Sequence, residues 1–274
     1  MSIDRRVFLK IAGLTTALGL GGSTLINGLK KRGLEASELP IAGKQGGLTA
    51  KRWGMVVDMS KFRNEHDIQR VIDACHNIHN VPFFKNPKHE VKWIWTDTFN
   101  HTFPGMESEF MQDGLEEMPF LMLCNHCLHP ACVRVCPTQA TFKRKDGIVM
   151  MDMHRCIGCR FCMAACPFGA RSFNWRDPRG KDEDGRPFIR KLNPEYPTRM
   201  KGVVEKCTFC TERLAKGLQP ACAEESNGGL VFGDLEDPGS ELREILRTHY
   251  TVRRKQELGT QPSVYYVIGG NDNV

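Results

Sequence analysis

The chain of 274 residues carries twelve cysteines, and all but Cys75 fall into three short runs. CIGCRFCMAACP supplies Cys156, Cys159, Cys162 and Cys166 at C-x2-C-x2-C-x3-C-P spacing. Two-residue gaps let a curling loop turn three thiolates toward one metal core, while the fourth cysteine points away to a neighbouring core. That chemistry is the ligation of a cubane [4Fe–4S] cluster. CNHCLHPACVRVCP supplies Cys124, Cys127, Cys132 and Cys136, with two more residues between its second and third cysteines. Exchange of the fourth ligand then predicts two sets, Cys124, Cys127, Cys132 and Cys166 for one cluster and Cys156, Cys159, Cys162 and Cys136 for the other.

The third run, KCTFC followed by PACAEESNGG, holds Cys207, Cys210 and Cys222 but ends on Ser226 where a fourth cysteine would complete it. The same exchange rule takes the missing ligand from elsewhere, and Cys75 is the cysteine left over. Cys75 also reads as an ordinary buried cysteine on an apolar helix face. Twelve cysteines dividing into three sets of four favour ligation and an expectation of three [4Fe–4S] clusters. Four-cysteine zinc sites use similar CxxC pairs, which leaves a zinc-stabilised adaptor as the reading from another class; four cysteines in one run followed by Pro favour iron and sulfide. Covalent haem c needs C-x-x-C-H, and the CxxC pairs here are followed by Leu128, Arg160, Met163 and Thr211. His76, His79, His126 and His129 read as hydrogen-bonding neighbours rather than ligands. With four protein ligands on every cluster no iron is open to substrate, so the chemistry is electron transfer and no catalytic residue is assigned. Lys206 and Arg160 are the cations expected to tune the potentials.

These motifs need elements to hold them. Cys136, Pro137 and Ala140 recur 30 positions later as Cys166, Pro167 and Ala170, the mark of a pseudo-twofold module. Between them ATFKRKDGIVMMD predicts two strands joined at Asp146-Gly147, a dipeptide suited to the positive φ values of a tight turn. WGMVVDMS reads as a strand, HDIQRVIDACHNIHN as a helix with Ile68, Val71, Ile72 and Cys75 on one face, GLVFGDL as a strand, and SELREILRTHY as a helix capped by Ser240. Residues 82–118 show no clear period and read as a long loop facing a partner, and residues 174–202 read as a second turn-rich excursion.

The amino terminus, MSIDRRVFLKIAGLTTALGLGGSTLI, places Arg5 and Arg6 before an apolar run and resembles a twin-arginine export signal, here spanning 1–36 and either removed or retained as a membrane anchor. A linker is expected at 37–52 and an iron–sulfur domain at 53–274. The twin-arginine route carries folded cargo, which suits a protein loaded with clusters before export. The formal charge is +6, but the first 36 residues leave only about +2 for the remainder. With neither a basic stripe nor an aromatic platform, nucleic acid is excluded as a partner.

At GVVEKCTFCTERLAKGLQPAC, VFGDLEDPGSE, VVDMS and DACHNIHNVP the chain resembles the four-cluster iron–sulfur subunits of the polysulfide-reductase type. The resemblance implies an α+β fold of tandem bacterial-ferredoxin-like double-cluster modules with insertions, the first motif pairing with the fourth and the second with the third. The chain departs from that pattern at the three leading cysteines of the first motif and at Ser226, four ligands of one cluster. In this it resembles the exported iron–sulfur subunit, subunit O, of the Dsr MKJOP type of transmembrane complex in dissimilatory sulfur metabolism. That likeness implies a subunit on the outer face of the cytoplasmic membrane, relaying electrons between a quinone-interacting integral membrane subunit and a multihaem cytochrome c. The alternative is the iron–sulfur subunit of a molybdenum-containing reductase.

Overall fold

The computed structural model describes residues 46–268 apart from 63, 107, 111–113 and 117. The expected signal or anchor at 1–36 lies outside the described residues, as does most of the expected linker. The end of that linker is tied to the domain: Leu48 N donates to Leu214 O at 2.9 Å, and the N–H groups of Lys51 and Arg52 donate to the Asp234 carboxylate at 2.8 and 3.0 Å.

Strand β1 (Trp53–Asp58) is apolar on both faces because it lies inside a sheet. It pairs in parallel with β10 (Val264–Val267) and antiparallel with β8 (Leu230–Asp234), and β9 (Thr251–Val252) closes the order β8-β1-β10-β9. Met55 and Val57 face the main core with Phe232 and Tyr266, while Val56, Val231 and Val267 turn to the other face and pack under Leu242. Leu242 belongs to helix α7 (Glu241–Thr248), whose N-cap Ser240 accepts from Arg243 N at 3.3 Å, as the sequence predicts. Helix α1 (Glu65–Ile78) begins at Asn64, whose side chain accepts from Asp67 N, and buries Ile68, Val71 and Cys75 on one face.

The stretch 82–118 is more than a loop. It contains β2 (Ile94–Asp97) and the single turn α2 (Phe99–Thr102), and β2 pairs antiparallel with β3 (Phe120–Leu123). Phe103 stands edge-on to Phe120 and Tyr266 with ring centroids 5.5 and 5.2 Å apart, which fastens this segment to the four-stranded sheet. A four-residue strand of aromatic and β-branched residues is too short to show a period, so the sequence leaves it hidden.

The expected hairpin forms as β4 (Thr141–Lys143) and β5 (Val149–Met151). Its turn is longer than the sequence implied, since Arg144 and Ile148 still pair, Gly147 N returns to Arg144 O, and Gly147 alone takes positive φ, at 85°. The 174–202 excursion leaves from β6 (Ser172–Phe173) and returns at β7 (Val204–Glu205), which pair with each other. The two excursions meet where Phe83 N donates to Phe188 O at 2.8 Å and the rings of Phe84 and Phe188 pack 4.6 Å apart.

Candidate metal centres

Three single-turn helices carry the third cysteine of each run. Cys132, Cys162 and Cys222 are the second residues of α3 (Ala131–Arg134), α4 (Phe161–Ala164) and α6 (Ala221–Glu224). A further single turn, α5 (Thr211–Leu214), follows Cys210 directly. Four residues beyond the third cysteines stand Cys136, Cys166 and Ser226, whose N–H groups donate to the carbonyls of Val133, Met163 and Ala223 at 3.3, 3.2 and 3.2 Å. Three residues further, the N–H groups of Gln139, Gly169 and Gly229 donate back to the carbonyls of Cys136, Cys166 and Ser226 at 3.3, 3.4 and 3.0 Å. The same backbone turn is therefore built three times, and Ser226 occupies the place of a fourth cysteine.

The CxxC loops repeat as well. The residue before the second cysteine of each pair has positive φ: His126 at 39°, Gly158 at 73° and Phe209 at 52°. Positive φ is uncommon away from glycine, less so for histidine than for phenylalanine. The rings of His126 and Phe209 stack, with centroids 3.7 Å apart and planes 19° from parallel. At Gly158 an added Cβ would meet Gly202 O at 2.5 Å, so sterics reserve that position for glycine.

All twelve cysteines are free thiols, and a shared cavity and their mutual electrostatic influence sort them into three groups. Cys136, Cys156, Cys159 and Cys162 line one cavity with Thr141, Met151 and Arg160. Cys127 is pushed up to about 12 by burial and by the charge of Cys124, with Cys166 and Cys132 adding to it. Burial holds Cys75 well above the usual thiol range, and the charges of Cys222, Cys210 and Cys207 raise it further. Burial likewise pushes Cys222 up to about 12. The groups also touch in order: Cys124 raises Cys207, which burial has already raised, and Cys132 raises Cys162. Cys75's group is thus next to Cys124's, and Cys124's next to Cys136's.

Cys75 reaches its group because α1 packs against α6. The segment that would hold three leading cysteines is helix instead, and Ser226 is turned to structural use. Buried at 2 % exposure, its Oγ donates to Ala223 O at 2.7 Å and accepts from Leu230 N at 2.8 Å, joining α6 to the start of β8.

The donor chemistry fits iron–sulfur cores. Buried, mutually repelling thiols ionise only beside concentrated positive charge, which a metal core supplies. Buried polar atoms between the cysteines also lack protein partners: the Asn125 amide, His126 Nε2 and Thr208 Oγ1. His126 Nδ1 accepts from Val149 N at 3.1 Å, which leaves the proton of the neutral ring on Nε2. Sulfide or thiolate acceptors would satisfy such donors.

His79 stands beside the Cys75 group. The ligating atoms of His79, Cys210 and Glu212 lie within 4.8 Å of one another. Both nitrogens of His79 are engaged all the same, Nδ1 with Cys75 O at 2.7 Å and Nε2 with Glu212 Oε1 at 2.9 Å. Of the expected tuning cations, Lys206 is buried with Nζ against the carbonyls of Val149 and Cys207, whereas Arg160 lies over the rings of Trp175 and Phe173 at 4.7 and 5.4 Å. The cation that sequence reasoning missed is Arg171, which is buried and donates from NH2 to Cys132 Sγ at 3.1 Å. Its signal was present: it directly follows the repeated Ala170.

A family model described as a 4Fe-4S dicluster domain matches residues 117–181, which contain the Cys124–Cys136 and Cys156–Cys166 runs. The chain is 40 % identical over 242 residues to the Hdr-like menaquinol oxidoreductase iron–sulfur subunit 1 of Archaeoglobus fulgidus, across 80 % of this chain and 85 % of the relative. It is 45 % identical over 221 residues to a putative dimethyl sulfoxide reductase iron–sulfur subunit of Halobacterium salinarum, across 79 % of each. The chain belongs to the family of CISM-type iron–sulfur electron-transfer subunits. Within this family it is also 34 % identical over 236 residues to the menaquinone reductase iron–sulfur cluster-binding subunit of Nitratidesulfovibrio vulgaris, across 79 % of this chain and 88 % of the relative. Other relatives are named as subunits of arsenate, tetrathionate, selenate and polysulfide reductases. CISM-type subunits of this kind bind iron–sulfur clusters and transfer electrons for a respiratory oxidoreductase; catalysis belongs to other chains. The identity with the Dsr subunit O is finer than these relatives carry.

Proposed function

We infer that this subunit is a three-cluster wire. One [4Fe–4S] cluster would be held by Cys75, Cys207, Cys210 and Cys222, a middle one by Cys124, Cys127, Cys132 and Cys166, and a third by Cys136, Cys156, Cys159 and Cys162, in two ferredoxin-like modules of which the first has lost one site. The observation that carries the reading is the ordered adjacency of the thiol groups, with Cys207 beside Cys124 and Cys132 beside Cys162. A bound cluster supplies one-electron exchange without substrate chemistry. The protein's own residues fix the spacing, exclude water from the Cys75 end, where all four thiols are buried, and place donors around the sulfurs. Iron, zinc and sulfide analysis with EPR tests it: about twelve irons and as much sulfide are expected from three cubanes, whereas zinc without sulfide would favour the adaptor reading.

For the partners, the names of the relatives weigh toward the alternative from the sequence, an assembly with a molybdenum-containing reductase, over the multihaem cytochrome c. We propose that the wire joins such a catalytic subunit to a quinone-reactive membrane subunit. The cytochrome-linked sulfur-metabolism complex stands as the second reading because of the missing fourth site and the likeness to a menaquinol oxidoreductase subunit. Subunits copurified from gently solubilised membranes decide between them: a molybdenum subunit supports the first, a cytochrome c the second, and recovery of the loaded subunit alone neither. Among the described residues no helix is long and apolar enough to cross a membrane. Arg5 and Arg6 motivate placement on the outer face by the twin-arginine route. Replacing both by Lys should block export, and undiminished export of loaded protein would refute that placement.

A further inference from the structure

Arg171 stands at the junction of two thiol groups. Its NH2 reaches Cys132 Sγ of the middle group at 3.1 Å, and its NH1 donates to Thr141 Oγ1 at 3.0 Å. Thr141 lines the cavity of the Cys136 group. Thr141 and Arg171 are also 30 residues apart, the spacing of the repeat, so two equivalent positions of the pseudo-twofold module meet here carrying different side chains. The guanidinium's partners are the thiols of Cys132 and Cys162, a hydroxyl and, at 3.9 Å, the Met151 thioether, rather than a carboxylate. The residue is 4 % exposed, so water screens its charge poorly.

A guanidinium keeps its charge at every working pH. Reducing a cluster adds one negative charge, and a buried cation bonded to a ligand sulfur favours the reduced form. The far end of the wire has charges of its own, since the buried Lys206 acts on Cys207 while Glu212 acts on Cys75 and Cys210. We propose that Arg171 raises the reduction potentials of the middle cluster and of the Cys136 cluster, most strongly the middle one, and leaves the Cys75 cluster untouched. The inference rests on the three-cluster reading. The step it biases is a single-electron transfer between adjacent clusters, one oxidised as the other is reduced, with no bond broken and no proton moved. Arg171 is a positioning residue for that transfer and touches no substrate.

The test is an EPR-monitored redox titration of the loaded protein, with iron content measured on the same samples. Arg171→Gln should retain its iron and lower the midpoint potential of the middle cluster most, that of the Cys136 cluster less, and that of the Cys75 cluster not at all. Arg171→Lys, which keeps the charge, should stay near the wild-type values. Loaded Arg171→Gln protein with unmoved potentials overturns the proposal. If Arg171→Gln fails to hold clusters, the lysine variant decides: potentials kept near wild type support the proposal, and a loaded lysine variant with a lowered middle potential overturns it. Wild-type protein without iron would instead overturn the three-cluster reading, and this inference with it.

Discussion

The half of the molecule around residues 117–181 and the half formed by α1 and the Cys207–Cys222 run use the same turn, yet they end differently. In the first half the turn closes on Cys136 and Cys166; in the second it closes on Ser226 with the same pair of backbone hydrogen bonds. The turn is self-supporting, so it survives when its last side chain stops being a thiol. The difference lies in where that side chain's polar atom goes. Ser226 spends its hydroxyl on Ala223 O and Leu230 N and becomes a joint between α6 and β8. Opposite that turn α1 lies against α6 and brings a single thiol, Cys75. The turn and the packing around it are therefore kept where its last residue is serine.

The largest expected effect breaks the α1 half. Cys75→Ala should convert the cluster held by Cys207, Cys210 and Cys222 to a three-iron form or empty it, while the other two clusters persist; an unchanged iron and EPR inventory would return Cys75 to a plain core role. A comparable loss should follow in the other half from Gly158→Ala. There a methyl group would meet Gly202 O at 2.5 Å at a φ of 73°, so the Cys136 cluster should fail to form and about four irons should be lost. Retention of all iron in that variant would show that the CxxC loop tolerates a different path.

Ser226→Ala should act on stability alone. It strands the buried Leu230 N–H, at a cost of about 1–3 kcal/mol, with iron content unchanged; denaturant unfolding of the loaded protein measures it. Ser226→Cys should have the smallest effect on the inventory, since one restored thiolate cannot replace three absent ligands. A fourth cluster in that variant, or in wild type, would break the ligand assignment.

Sequence spacing by itself determined the three cysteine runs, the pseudo-twofold repeat, β1, α1, β8 and α7, because each depends on short-range periodicity or on gaps between neighbouring residues. It also identified Ser226 as the anomaly. Tertiary structure alone decided what Ser226 does, that β2 lies inside the apparent loop at 82–118, that His126 and Phe209 stack across two motifs, and that Arg171 rather than Arg160 touches a cysteine sulfur. These all turn on which residues meet across long stretches of chain. Arg171 and Cys132 are 39 positions apart, and Ser226 gains its meaning only when α1 folds against α6. Spacing along one chain fixes the ligands of a site, while the charges and hydrogen bonds that surround it are chosen by packing.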